Sequence, residues 1–337
     1  MSVLAQDKAG GLQVPLLDVG RWLAGDTAAL RELAVQLRTA LEQVGFFLLA
    51  GHGVPQALID RVYAEAARFH ALPLEAKMAL KMSSSNTGYV PLGGGISRAS
   101  TVARATKPNQ NAAFFMKRER AANDSDVLAG KPHRGLNQWP AALPGYRETL
   151  IEYFEVMEAL AGRLLPLYAM ALELPAGHFA DYFSPAQITL RLSHYPATPP
   201  EDGLYGLAPH TDAGFMTLLP ANDVPGLAIR PEGQEWMDVP SLPGTFVVNS
   251  GDILRRWTND RFLSTPHRVV NRSGAERYAI PFFFDPNTEA EIACLASCQS
   301  ADNPPRHPPV TYGDYLTWFM NRNYHRTGEH DDIGARP

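Results

Sequence analysis

HTDAGFMTLL, residues 210–219, joins half of a metal site to a short apolar strand, and the reading of the chain turns on it. Residues i and i+2 of a strand point to the same side, so His210 and Asp212 can face one ion. His267 follows 55 residues after Asp212, and Arg277 ten residues after that. Two imidazoles and one carboxylate cover one face of an octahedral metal and leave the opposite sites open, the pattern of non-haem Fe(II) centres that activate O2. The guanidinium of Arg277 is a rigid cationic fork suited to a carboxylate. The H-x-D pair alone is a weak signal. With ten His in the chain, about half such a pair is expected by chance. A lone His267 is more often structural than ligating, so the surroundings must carry the assignment.

Outward from that stretch, short strands are separated by Pro, Gly, Asn and Asp: 188–195, 214–219, 226–230, 245–249 and 278–284. This spacing predicts a sandwich or barrel. Metal ligands on two of its strands fit a jelly roll, whose mouth holds a metal and a small molecule. Upstream, the apolar positions Leu150, Phe154, Met157, Leu164, Tyr168 and Ala171 predict one long packing helix over about 147–174, with Pro166 expected to kink it. The N-terminal part reads α/β. A strand at 14–18 precedes a helix capped by Asp26 with Leu30, Leu33, Leu37, Leu41 and Val44 on one face. A second strand at 45–49 precedes a helix carrying Ile59, Val62, Ala66 and Phe69. Residues 83–140 are polar, rich in Gly, Ser and Asn, and locally basic through Arg98, Arg104, Lys107, Lys117, Arg118 and Arg120. They are expected to form a long irregular segment, with 96–120 bordering the active-site entrance.

The 337 residues allow one large domain or two smaller ones, and 45% hydrophobic content allows a substantial core. A net charge of −5 without a basic run argues against nucleic acid. The N-terminus has no apolar signal segment and no run of apolar residues is long enough to span a membrane. Only Cys294 and Cys298 occur; they read as ordinary residues of a reduced, cytoplasmic protein.

At this point the chain resembles the Fe(II)/2-oxoglutarate-dependent oxygenases of the isopenicillin N synthase type. VPLLDV (14–19) and GFFLLAGHGVP (45–55) are similar to the family's opening. NQWP (137–140) with LPGYR (143–147) is similar to its lead into the long helix. HTDAGFMTLL, FVVNSGDILRRWTNDRFLSTPHRVV (246–270) and RYAIPFFFDPN (277–287) are similar to its successive core strands. The resemblance covers about residues 13–325, with the pieces in order. It implies an α+β fold: a double-stranded β-helix (jelly-roll) core with flanking helices and an N-terminal α/β segment. It divides the chain into an N-terminal region with a mobile loop (1–120), the catalytic jelly roll (121–325) and a tail (326–337).

The resemblance further implies that His210, Asp212 and His267 bind Fe(II), that Arg277 holds the distal carboxylate of 2-oxoglutarate with help from Tyr195, and that Phe283 lines the substrate chamber. O2 would be consumed to convert 2-oxoglutarate to succinate and CO2 while a C–H bond of a small molecule is oxidised. Two departures sit at the cosubstrate. Where the family has R-x-S this chain has Arg277-Tyr278-Ala279, and where it has N-x-Y this chain has Ser193-His194-Tyr195. A missing hydroxyl costs about 1–2 kcal/mol. Two alternatives therefore stand beside the oxygenase: an oxidase of the same fold that uses no 2-oxoglutarate, and a non-catalytic jelly roll that binds metal. Arg191 alternates with Ser193 and Tyr195 and so shares their face; it is expected either to pair with a polar or anionic substrate or to bind a structural carboxylate. Phe114 and Phe115 follow the basic segment and could wall the substrate pocket or fill the core. His194, on the opposite face, and His52, in a Gly-His-Gly turn, are expected to be structural.

Overall fold

The computed structural model describes residues 12–95, 107–197 and 203–323. Its main sheet contains β1 (Leu16–Asp18), β2 (Phe46–Ala50), β3 (Gly88–Val90), β4 (Ala112–Lys117), β5 (Gln187–Tyr195), β7 (Met216–Pro220), β10 (Phe246–Ser250), β12 (Arg277–Ala279) and β13 (Phe282–Asp285). Its order is β1-β2-β10-β7-β13-β5-β4-β3, with β12 also paired to β5. The facing sheet has the order β6-β11-β8-β9, from β6 (Leu207–His210), β8 (Leu227–Ile229), β9 (Met237–Asp238) and β11 (His267–Val269). Two sheets of short, mostly antiparallel strands are the expected jelly roll. Strands from both sides of residue 120 enter the main sheet.

The helices back the main sheet. α1 (Thr27–Gln43) starts where Asp26 accepts from the Ala28 and Ala29 N–H groups, and buries Leu33, Leu37 and Leu41. α2 (Gln56–His70) buries Ile59, Val62, Ala66 and Phe69. α3 (Tyr146–Ala171) is the long helix; it continues through Pro166 and seats Phe154 against Phe282. The expected stripe from Leu150 to Ala171 is buried throughout.

Residues 83–140 are not irregular throughout. β3 and β4 lie within them, and every residue of β4 is buried. A strand covered on both faces shows no hydrophobic alternation, which is why AAFFMK escaped the pattern. The basic residues around it are tied down: Arg118 pairs with Glu158, and Arg120 with Asp124 and Asp126. Arg98 and Arg104 lie outside the described residues, as does the tail at 326–337.

The pairing of β4 also corrects Phe114. Phe114 is 0% exposed and packs against Phe69 and Tyr146 on the helix side of the sheet. Its neighbour Phe115 takes the opposite face, beside Arg191.

Candidate metal centre

The metal donors meet because the minor sheet pairs β6 with β11 so that His267 lies directly across from His210. Asp212 is not on the strand with His210. β6 ends at His210, and the carboxylate is set by contacts beyond it. Thr217 on β7 and Asn249 on β10 both donate to Asp212 Oδ2, at 2.6 and 2.7 Å. Oδ1 is thereby turned toward the rings, 3.8 Å from His210 Nε2 and 3.6 Å from His267 Nε2. Each ring is oriented by its other nitrogen, His210 Nδ1 on the Ala208 carbonyl (2.9 Å) and His267 Nδ1 on the Thr265 carbonyl (3.2 Å). The lone pairs of both Nε2 atoms are left for a metal. Donor atoms of the three residues lie within 4.8 Å of one another, and this set could hold a metal ion.

Burial, with His267 beside it, pushes the His210 imidazole down to about 3, so the ring is neutral near pH 7. Burial works against the Asp212 carboxylate, but His267, His210 and Asn249 outweigh it and hold the group below the usual carboxylate range. Burial also works against charge on His267, and there the Asp212 carboxylate wins and raises the imidazole.

A second group of polar side chains lies where β12 pairs with β5. Arg277 pairs with Tyr195, and Ala279 with Ser193, across β12 and β5. Arg277 is 3% exposed; its Nε donates to the Val224 carbonyl at 3.1 Å, and its Nη1 has no hydrogen-bond partner among the described residues. The Ser193 hydroxyl, fully buried, has none either. Tyr195, Val269 and Ala279 form a small apolar cluster, with Leu207 and Leu219 packed against it. Unpaired buried donors are rare and costly, and two of them on one face of the β5–β12 pair suit an anionic ligand.

The third space is a cavity of about 100 Å³ on the same face of the sheet. His210 and Asp212 are on its wall, with Phe115, Lys117, Thr189, Arg191 and Phe283. A C-terminal helix, α5 (Tyr312–Asn323), closes it with Tyr312, Leu316, Phe319 and Met320. Phe283 lines this cavity. So does Arg191, 7% exposed, its Nη2 on Asn111 Oδ1 at 3.2 Å and its guanidinium 5.3 Å from the centre of the Phe115 ring. His194 stacks on Tyr278, His52 bonds to the Gly244 carbonyl and to the Val54 N–H, and both cysteines are free thiols.

Lys117, Thr217, Asn249 and Asp285 were not foreseen as part of these pockets. The signal for Thr217 and Asn249 was present: each is a polar residue inside an otherwise apolar strand run, FMTLL and FVVNS.

A model of the 2OG-Fe(II) oxygenase superfamily matches residues 187–286. A model of the N-terminal region of non-haem dioxygenases in morphine synthesis matches residues 14–142. The 2-oxoglutarate-Fe(II) type oxidoreductase hxnY of Emericella nidulans is 37% identical over 93% of this chain and 90% of its own length. A 2-oxoglutarate-Fe(II) type oxidoreductase of Aspergillus fumigatus is 32% identical over 94% of this chain and 95% of its own. Among solved structures, a full-length Neurospora crassa protein in complex with alpha-KG and 5-formyluracil superimposes with a TM-score of 0.81 at 25% identity, covering 96% of this chain and 99% of that one.

Proposed function

The chain belongs to the 2OG-Fe(II) oxygenase superfamily, and from that premise we propose that it oxidises a small organic anion held by Arg191. It is a non-haem dioxygenase that uses Fe(II), 2-oxoglutarate and O2, and it releases succinate and CO2. Bound together, the metal and cosubstrate supply the O2 activation that oxidises a substrate C–H bond.

The chain's own residues are assigned as follows. His210, Asp212 and His267 hold the iron. The donor set fits, because Nδ1 of each ring and Oδ2 of the carboxylate are already committed elsewhere. Arg277 and Tyr195 hold the distal carboxylate of 2-oxoglutarate, with the unpartnered Ser193 hydroxyl directed to the same pocket. Arg191 orients the substrate. Phe115, Phe283 and α5 keep water from the reacting carbon. In this division residues 121–325 carry the metal and cosubstrate residues, while the part before 121 adds Phe115 and Lys117 to the chamber wall. Two free thiols support a reducing, cytoplasmic setting.

The observation that carries the anionic substrate is the isolation of Arg191. It is buried, its charge is felt at His210, and no carboxylate among the described residues pairs with it. An unpaired buried guanidinium is costly and is offset when an anion arrives. A library of small organic acids and neutral analogues, scored by succinate release, tests this. Acids should dominate the stimulators, and Arg191→Leu should raise their KM by about 10- to 100-fold without weakening 2-oxoglutarate binding. Stimulation by neutral compounds alone would refute the assignment.

A further inference from the structure

The chamber contains a second buried cation that this reading leaves unused. Lys117 closes β4 and is 4% exposed. Its backbone is clasped on both sides by Asn137, which accepts from the Lys117 N–H and donates to the Lys117 carbonyl, each at 2.9 Å. The ammonium is therefore delivered to the chamber by a fixed strand. Its hydrogen-bond contact is weak, 3.4 Å to His133 Nδ1. The acceptor at that nitrogen is shared with Asn86 Nδ2 at 3.1 Å.

Among the described residues no acid pairs with either cation. Two carboxylates stand on the chamber wall, and both are spent. Asp212 is taken by Thr217, Asn249 and the metal site. Asp285 accepts from the Phe215 N–H at 2.7 Å and from the Tyr312 hydroxyl at 2.6 Å. Burial, helped by Arg134, pushes the Lys117 amine down to about 7, the consequence of a cation left without a counter-ion. By contrast the neighbouring Arg118 and Arg120 each have an acidic partner.

The register fixes how the two strand positions are spaced. Lys117 pairs with Thr189, and Arg191 pairs with Phe115, so the two are diagonal neighbours on one face. Such positions lie about 7–8 Å apart. The same cavity is also lined by the rings of Phe115, Phe283 and Phe319. One anionic group on Arg191 leaves Lys117 unanswered; a second on the same small molecule answers it.

We propose that Lys117 and Arg191 form a two-point anion clamp, and that the substrate is a small dianion, a ring-sized molecule with acidic groups at two places. This rests on the oxygenase reading and narrows it from an anion to a dianion.

The test uses full-length protein loaded anaerobically with Mn(II) and saturating 2-oxoglutarate. Benzoate and isophthalate are the probes, identical but for the second carboxylate, and binding is followed by calorimetry. Isophthalate should bind about tenfold or more tightly than benzoate, the worth of one charge-assisted hydrogen bond. Lys117→Met should bring isophthalate down to the affinity of benzoate. Lys117→Arg, which keeps the charge, should retain the preference and guards against a Met variant that fails to fold. Arg191→Leu should weaken both acids. Equal binding of the two acids to the unaltered protein, with benzoate still dependent on Arg191, overturns the clamp and leaves the anionic substrate standing. Binding of neither acid by protein that binds 2-oxoglutarate normally overturns both.

Discussion

The candidate cosubstrate pocket gives the sharpest quantitative prediction, because a buried hydroxyl stands on the strand paired with that of Arg277. The residue two positions after Arg277 is Ala279, which offers no hydroxyl of its own. Ser193 lies directly opposite Ala279 in the β5–β12 register, and opposed side chains on one face stand about 4.5–5.5 Å apart. Its hydroxyl is fully buried and unpartnered among the described residues, as is Arg277 Nη1. When a carboxylate enters between them, Ser193 makes a hydrogen bond to a charged acceptor, worth about 1.5–3 kcal/mol. At 1.4 kcal/mol per decade, Ser193→Ala should weaken 2-oxoglutarate by about 10- to 100-fold. Adding Ala279→Ser to that variant returns a hydroxyl to the same pocket and should recover most of the loss. Arg277→Ala removes the counter-charge and should cost more than either. Titration of 2-oxoglutarate into anaerobic Mn(II)-loaded protein measures all three without turnover. Unchanged affinity in Ser193→Ala, with little loss in Arg277→Ala, would mean that the carboxylate sits elsewhere.

His210→Ala or His267→Ala should abolish both iron binding and oxygen uptake; full activity in either, measured with an oxygen electrode and metal analysis, would remove the basis of the metal assignment. Asn249→Ala frees Asp212 Oδ2 from one of its two donors and should lower metal affinity by about 10- to 100-fold, read by titration with Mn(II). Phe114→Ala should destabilise the fold by about 3–5 kcal/mol, as a ring lost from a close-packed core. Phe115→Ala should act mainly on substrate KM; denaturant melts of the two variants, set against their kinetics, separate the faces.

The resemblance carried further than the strand pattern did. Strands at 188–195 and 245–249 were legible because their flanking turns are polar and their apolar runs short. β6 was not. It has four residues, LAPH, and its proline and histidine disguise it, yet it carries His210, the first of the candidate donors. The same-side rule for i and i+2 is not what brings His210 and Asp212 together. Asp212 lies past the strand end, and its direction comes from Thr217 and Asn249, contacts between strands that no local periodicity records. Phe114 and Phe115 show the same limit. On a strand buried on both faces, adjacent phenylalanines are chemically equal, and only the pairing with β5 decides which one faces the cavity beside Arg191.

Lys117 marks the point where composition misleads. In the sequence it joins Arg118 and Arg120 in a locally basic stretch read as an irregular segment at the active-site entrance. In the structure the three separate: Arg118 reaches Glu158 on α3, Arg120 reaches Asp124, and Lys117 alone turns inward. Strand alternation accounts for the split, since Lys117 shares the face of Phe115 rather than that of Phe114 and Met116. A lysine turned into an apolar cavity is destabilising unless something compensates it. In the proposed assignment the metal and cosubstrate would not do so, because the charges of Fe(II), Asp212, 2-oxoglutarate and Arg277 sum to zero. Lys117 then either sheds its proton, which burial favours, or keeps it beside an acidic group of the substrate, the pairing that the proposed clamp supplies.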